Sequence, residues 1–137
     1  MSAKESAKDG EKKSAKDGEK SGPDQTLLES FAAEARRRCD VIAAGLATES
    51  ADFETMRTEA HALKGTASVV GLRRLAELAG LMESDLAEAK KTGLIRGGRS
   101  HQIADAAKAL ADGATAAAEG KEEPPDVGRS LAQLFSA

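Results

Sequence analysis

The 137-residue chain contains no tryptophan, no tyrosine and only three phenylalanines. That scarcity argues against an aromatic-rich β fold and against a stacking surface for single-stranded nucleic acid, so alanine and leucine must build the core. A single cysteine, Cys39, excludes an internal disulfide. Its neighbours at helical spacing, Ala35, Ile42 and Leu46, mark it as a buried thiol in a reducing compartment. No apolar run approaches the ~20 residues that span a bilayer, and the first residues lack a signal-peptide-like apolar stretch. A cytoplasmic protein with no membrane contact is therefore expected. The formal charge is −3, with 20 Lys and Arg scattered among 23 Asp and Glu, which leaves no electrostatic footprint for nucleic acid. The only two histidines, His61 and His101, are far apart and lack a third ligand, so no metal site is expected. A P-loop and a kinase-like glycine-rich loop are also missing.

What is present divides into three parts. Residues 1–23 carry a direct repeat, Ser6-Ala7-Lys8-Asp9-Gly10-Glu11-Lys12 and again Ser14-Ala15-Lys16-Asp17-Gly18-Glu19-Lys20, with no large apolar side chain after Met1. Such a segment cannot bury enough surface to offset its ordering entropy, and a disordered low-complexity tail is expected there. Residues 24–120 read as four helices. In the first, Thr26 and Glu29 have capping-box spacing ahead of Leu28, Phe31, Ala35, Cys39, Ile42 and Leu46. Thr48 and Ser50 offer capping hydroxyls before a second helix from about Asp52 to Val70, and Gly71 permits a tight turn. The third helix carries Leu72, Leu75, Ala79, Met82, Leu86 and Ala89 and should stop near Gly93. The fourth begins after Gly97-Gly98 with Ser100 as its expected cap. Its Ile103, Ala107, Leu110, Ala114 and Ala117 keep the period, but Gly113 and the many alanines make it the weakest expected packer. Short links between four amphipathic helices imply an all-α, antiparallel up-down four-helix bundle. Beyond Pro124-Pro125, residues 121–137 form a C-terminal tail in which Val127, Leu131, Leu134 and Phe135 predict a short fifth helix, either docked on the bundle or held out to a partner.

The second helix holds the candidate site. Phe53, Met56, Ala60, Leu63, Ala67 and Val70 recur at alternating intervals of three and four, the seam of a packed helix. His61 falls one position past that seam. Lys64 and Gly65 lie three and four residues further on and share its surface one turn along. A nucleophile, a cation and a gap in the side-chain cover are thus brought together.

The run His61-Ala62-Leu63-Lys64-Gly65-Thr66-Ala67-Ser68-Val69-Val70-Gly71-Leu72, followed by Leu75, Leu78 and Leu81-Met82-Glu83, resembles the histidine phosphotransfer (HPt) domain family. With Phe31, Glu34 and Ala35 of the first helix, the resemblance covers roughly residues 24 to 118. It implies a bundle whose exposed histidine accepts a phosphoryl group and passes it to or from an aspartate of a response-regulator receiver domain. By that carry-over His61 is the phosphoacceptor, Lys64 the nearby cation and Gly65 the small residue that lets a partner approach. Glu83 falls where the N-terminal phosphotransfer domains of chemotaxis histidine kinases place a glutamate that bonds the imidazole. That subgroup often has a second histidine one turn earlier, where this chain has Gly80.

The chemistry fits those roles on its own terms. An imidazole with an ordinary pKa near ~6.5 is mostly neutral at pH 7 and keeps one lone pair for attack on phosphorus. A carboxylate on Nδ1–H leaves Nε2 as the nucleophile. Lys64 offers three donors to moving phosphoryl oxygens. The chain carries no evident cofactor or metal cluster, so a partner domain must supply magnesium and the remaining catalytic parts. The expected partners are a histidine kinase and a receiver domain, and the expected protein is a monomeric phosphoryl carrier rather than an enzyme. The alternative is a non-phosphorylated helical adaptor that uses the same face only for docking. Ser68, one turn further along that face, and the pair Arg73 and Arg74 are weaker candidates.

Overall fold

The computed structural model describes residues 24–136, so the tail expected over residues 1–23 lies outside the described residues. Five helices follow in order: α1 (Gln25–Leu46), α2 (Phe53–Val69), α3 (Arg73–Thr92), α4 (Arg99–Ala118) and α5 (Pro125–Phe135). Among the described residues there is no strand. The caps depart from the expected ones in three places. Asp24, not Thr26, closes the start of α1, its carboxylate accepting from the Thr26 N–H at 2.7 Å. The Thr48 hydroxyl donates back to the Gly45 carbonyl, and α2 is capped by Asp52, which accepts from the Thr55 amide at 3.1 Å. The Thr55 hydroxyl and amide hold the Asp52 carboxyl below its ordinary pKa. In both helices a carboxylate displaces a hydroxyl because its full charge also meets the positive end of the helix dipole. Finally, α4 begins at Gly98, whose φ of +80° suits glycine, and Ser100 lies inside the helix.

Helices α1 to α4 close a ring in which each packs on its chain neighbours and α4 returns to α1. The directions alternate: Arg38 of α1 meets Glu59 of α2 at 2.7 Å, and Gln25 at the start of α1 bonds the Ala118 carbonyl at the end of α4. The expected seams are the buried ones, with Phe31, Ile42, Met56, Leu63, Met82, Leu86, Ile103 and Leu110 among the fully buried large side chains, and Leu78, outside the expected seam of α3, is fully buried as well. Phe53, Leu46, Leu72 and Ala117 sit at the margin, half-buried. Cys39 is buried, and burial pushes its thiol up to about 12, which makes it inert.

Helix α4 is not the weak packer its composition predicts. Ten of its 20 residues are buried, more than in any other helix, and it touches α1, α3 and α5. Small side chains are the reason: a Cβ on Gly113 would stand 2.9 Å from Leu75 Cδ2 and 3.1 Å from Val127 Cγ2. What alanine and glycine lose in side-chain area they return as close approach between helix axes. Helix α5 occupies the groove this opens. It docks on α3 and α4 through Val127, Ser130 and Leu134, while Phe135 stays 78% exposed.

Arg99 fastens the far end of that helix. Its side chain is 10% exposed, donates to the carbonyls of Gln133 and Ser136 at 3.0 Å each, and pairs with Asp85 of α3 at 3.3 Å. Burial pushes the Asp85 carboxyl above its ordinary value, against the opposing pull of Arg99 and Arg96. One guanidinium therefore ties α3, α4 and α5 and neutralises a carboxylate that water reaches poorly. Replacing Arg99 by Gln is expected to lower the unfolding free energy by about 2–4 kcal/mol, because it strands both the carbonyls and Asp85. Hydrogen exchange should show residues 127–134 losing protection before α2 does. Unchanged protection of α5 would show that Arg99 is dispensable to its docking.

Candidate functional site

The site lies along the groove between α2 and α3, which run antiparallel in a register that sets Lys64 over Gly80, His61 beside Glu83 and Glu54 beside Lys90. His61 stands on the outer side of the α2 seam, with its side chain 63% exposed. Its Nδ1 lies 2.8 Å from Glu83 Oε2. An ionised carboxylate only accepts, so the bonded nitrogen carries the proton and Nε2 keeps its lone pair. Glu83 is only 17% exposed, and its other oxygen lies 3.3 Å from Lys64 Nζ. Burial alone raises the Glu83 carboxyl, but the bonds and charges of His61 and Lys64 outweigh it and hold the group below its ordinary pKa. Exposure belongs to the imidazole and rigidity to its carboxylate.

Of the residues singled out in the sequence, His61, Lys64 and Glu83 are thus in direct contact, and Gly65 lies one turn from His61 on the same exposed face. A Cβ built on Gly65 meets nothing within 4 Å, so no packing inside this chain requires glycine there. A helical glycine costs about 1 kcal/mol relative to alanine, and the open space above it is what the chain receives in return. Ser68 is exposed two turns from His61. Arg74 is committed elsewhere: its Nε bonds both oxygens of Glu123, at 3.0 and 2.9 Å, and so ties α3 to the link before α5. Arg73 is exposed at the start of α3, and His101 is exposed on α4, which does not touch α2.

Two residues of the groove take their roles only from the structure. Gly80 occupies the turn before Glu83, and a Cβ there would come within 3.3 Å of Lys64 Cδ. The lysine stem lies across that gap and reaches Glu83 because no side chain intervenes. Arg57 is the second. It sits one turn before His61, bonds Glu54 through Nε and Nη2 at 3.1 Å each, and places Nη1 3.4 Å from the same Glu83 oxygen that His61 uses. A spacing of four residues puts Arg57 on the His61 face of α2, but arginines at that spacing on helices are too common to single out.

The arrangement offers a solvent-facing imidazole of fixed tautomer, a lysine within reach and open space beside them. Among the described residues no group of three or more His, Cys, Asp or Glu side chains is placed to hold a metal ion. The family model for the Hpt domain matches residues 26–134, from the first turn of α1 to the last turn of α5. The chain belongs to the Hpt domain family. No curated protein matches it as a relative. Membership carries a histidine phosphotransfer role in phosphorelays, with histidine kinases and receiver domains as the general classes of partner. The matched residues extend over α5. No helix among the described residues is long and apolar enough to cross a membrane.

The Glu83 clasp has a pH signature. A carboxyl whose folded value lies below its unfolded one adds stability above the unfolded value and loses it as the pH falls through the folded one. The stability gap between the native chain and Glu83→Gln should therefore be widest between about pH 5 and 7 and close below about pH 4, the ordinary carboxylate range. Denaturant melts at pH 7, 5 and 3 measure it. A gap that does not change with pH would mean that the glutamate acts through shape rather than charge.

Proposed function

We propose that this Hpt domain carries its phosphoryl group on Nε2 of His61 and exchanges it with the aspartate of a receiver domain, within a phosphorelay or as the phosphotransfer module of a chemotaxis-type kinase. The observation that carries the reading is the 2.8 Å bond between His61 Nδ1 and Glu83 on an otherwise exposed ring. Attack by the Nε2 lone pair forms the N–P bond while the P–O bond to the donor breaks, and the electron pair of that bond leaves with the donor oxygen. The ring gains positive charge as it does so. Glu83, already on Nδ1–H, stabilises that charge, and Lys64 can turn from Glu83 Oε1 to the phosphoryl oxygens. The partner brings the metal and the in-line geometry, and Gly65 leaves it room to come close.

Incubation with an active histidine kinase and ATP, or with a phosphorylated receiver domain, should label the protein with an acid-labile, base-stable phosphate. His61→Gln should reduce the label to background, and Glu83→Gln should slow its appearance by about 10- to 100-fold, the usual effect of losing a partner that orients a reactive imidazole. A label that persists in His61→Gln would refute the assignment. A chain that binds its partners but takes no label under any of these conditions would instead be a docking adaptor.

A further inference from the structure

The charges around Glu83 form a chain longer than phosphoryl transfer itself needs. Glu83 Oε1 faces Lys64, while Oε2 is shared by His61 at 2.8 Å and Arg57 at 3.4 Å. Arg57 is also engaged on its other side: Glu54 bonds it through Nε and Nη2, and Lys90 of α3 pairs with Glu54 in turn at 2.8 Å. Arg57 and Lys90 together hold the Glu54 carboxyl down to about 2, so Glu54 remains an anion throughout the neutral range. The charged groups that face Glu83 from α2 are Arg57, His61 and Lys64, while the next acid on α3, Asp85, pairs with Arg99.

We propose that Arg57 is a positioning residue of the phosphotransfer site: anchored by Glu54, it takes up part of the Glu83 charge and thereby sets how tightly Glu83 grips the His61 imidazole. The inference rests on the reading of His61 as the phosphoacceptor. Its physical content is a competition for one oxygen. A carboxylate that faced His61 alone would favour the protonated ring, which has no lone pair to attack with. A guanidinium at 3.4 Å withdraws some of that pull without displacing the imidazole, and its bonds to Glu54 divide its own charge between the two carboxylates. The ring stays oriented while the pull of the carboxylate on it is divided. Removing Arg57 also removes a positive charge near the ring, and both effects act in the same direction.

The test is a proton–nitrogen NMR titration of the two histidine rings in the full chain, native and with Arg57→Gln or Arg57→Lys. In Arg57→Gln the His61 titration midpoint should move to higher pH by about half a unit. Arg57→Lys should restore most of that movement, since it keeps the charge, and His101 on α4 should not move in either variant. A His61 midpoint unchanged by Arg57→Gln overturns the proposal. So does a lysine variant no better than glutamine, or an equal movement of His101, which would mark a general disturbance. With phosphoramidate as donor, the acid limb of the pH–rate profile for His61 labelling should shift by the same half unit. The titration needs no phosphoryl donor. Absence of labelling with the predicted titration would refute the phosphoacceptor role alone, and labelling with an unmoved midpoint would refute the role of Arg57 alone.

Discussion

The register between α2 and α3 is the constraint on which the site depends. Both helices bury small residues, Ala60 and Ala67 on one and Ala76 and Ala79 on the other, and Gly80 of α3 lies under the Lys64 stem at the groove. Small side chains let the axes come close enough for the short reach of a glutamate to span from one helix to the other. A displacement of one residue along either helix would rotate Glu83 by 100° away from His61, and the pairs Lys64–Glu83 and Glu54–Lys90 would be lost with it. The apolar seam therefore decides the electrostatics. The buried large residues of the two helices, Met56 and Leu63 on α2 and Leu78, Met82 and Leu86 on α3, hold this register, because a slip would turn them toward water.

The opposite side of the bundle solves a different problem with similar means. An alanine-rich helix buries little area per residue, and α4 compensates by burying half of its residues against three neighbours at once. Gly113 admits Leu75 from α3 and Val127 from α5 to nearly the same spot, so the fifth helix completes the core there. Arg99 then supplies the polar counterpart at the other end of α5, where the last carbonyls would otherwise lack donors. The result is a bundle anchored away from the groove, with α2 and α3 free to present their outer face.

Most of this fold is legible in the sequence because its apolar period is unbroken within each helix, and period decides both element type and buried face. The first three seams and the Gly93 stop appear where they are expected. Caps are less legible: Asp24 and Asp52 compete with nearby hydroxyls, and only the backbone geometry tells which acceptor reaches the open amides. The packing of α4 is not legible at all from composition, since a stripe of alanines reads as weak until its neighbours are known. At the site, His61, Lys64 and Gly65 can be read together because they share one helix and one period. Arg57 shares it too, but its meaning comes from Glu83 on the next helix, and Gly80 has meaning only through the lysine stem that lies over it. Residues whose function depends on pairing between helices are hidden for the same reason that their helices are visible.

A phosphoryl carrier faces opposing demands. Its nucleophile must protrude far enough to enter another protein's catalytic site, yet a freely rotating imidazole reacts in the wrong tautomer and orientation much of the time. The chain separates the two demands between two residues. His61 is exposed, while Glu83 is largely buried and bonds the ring nitrogen at 2.8 Å, so the imidazole is oriented from below. Strengthening that hold without limit would defeat the purpose, because a carboxylate that stabilised the charged ring too well would impede either the attack or the later release of the phosphoryl group. Surrounding Glu83 with Lys64 and a tethered Arg57 keeps its charge available but divided.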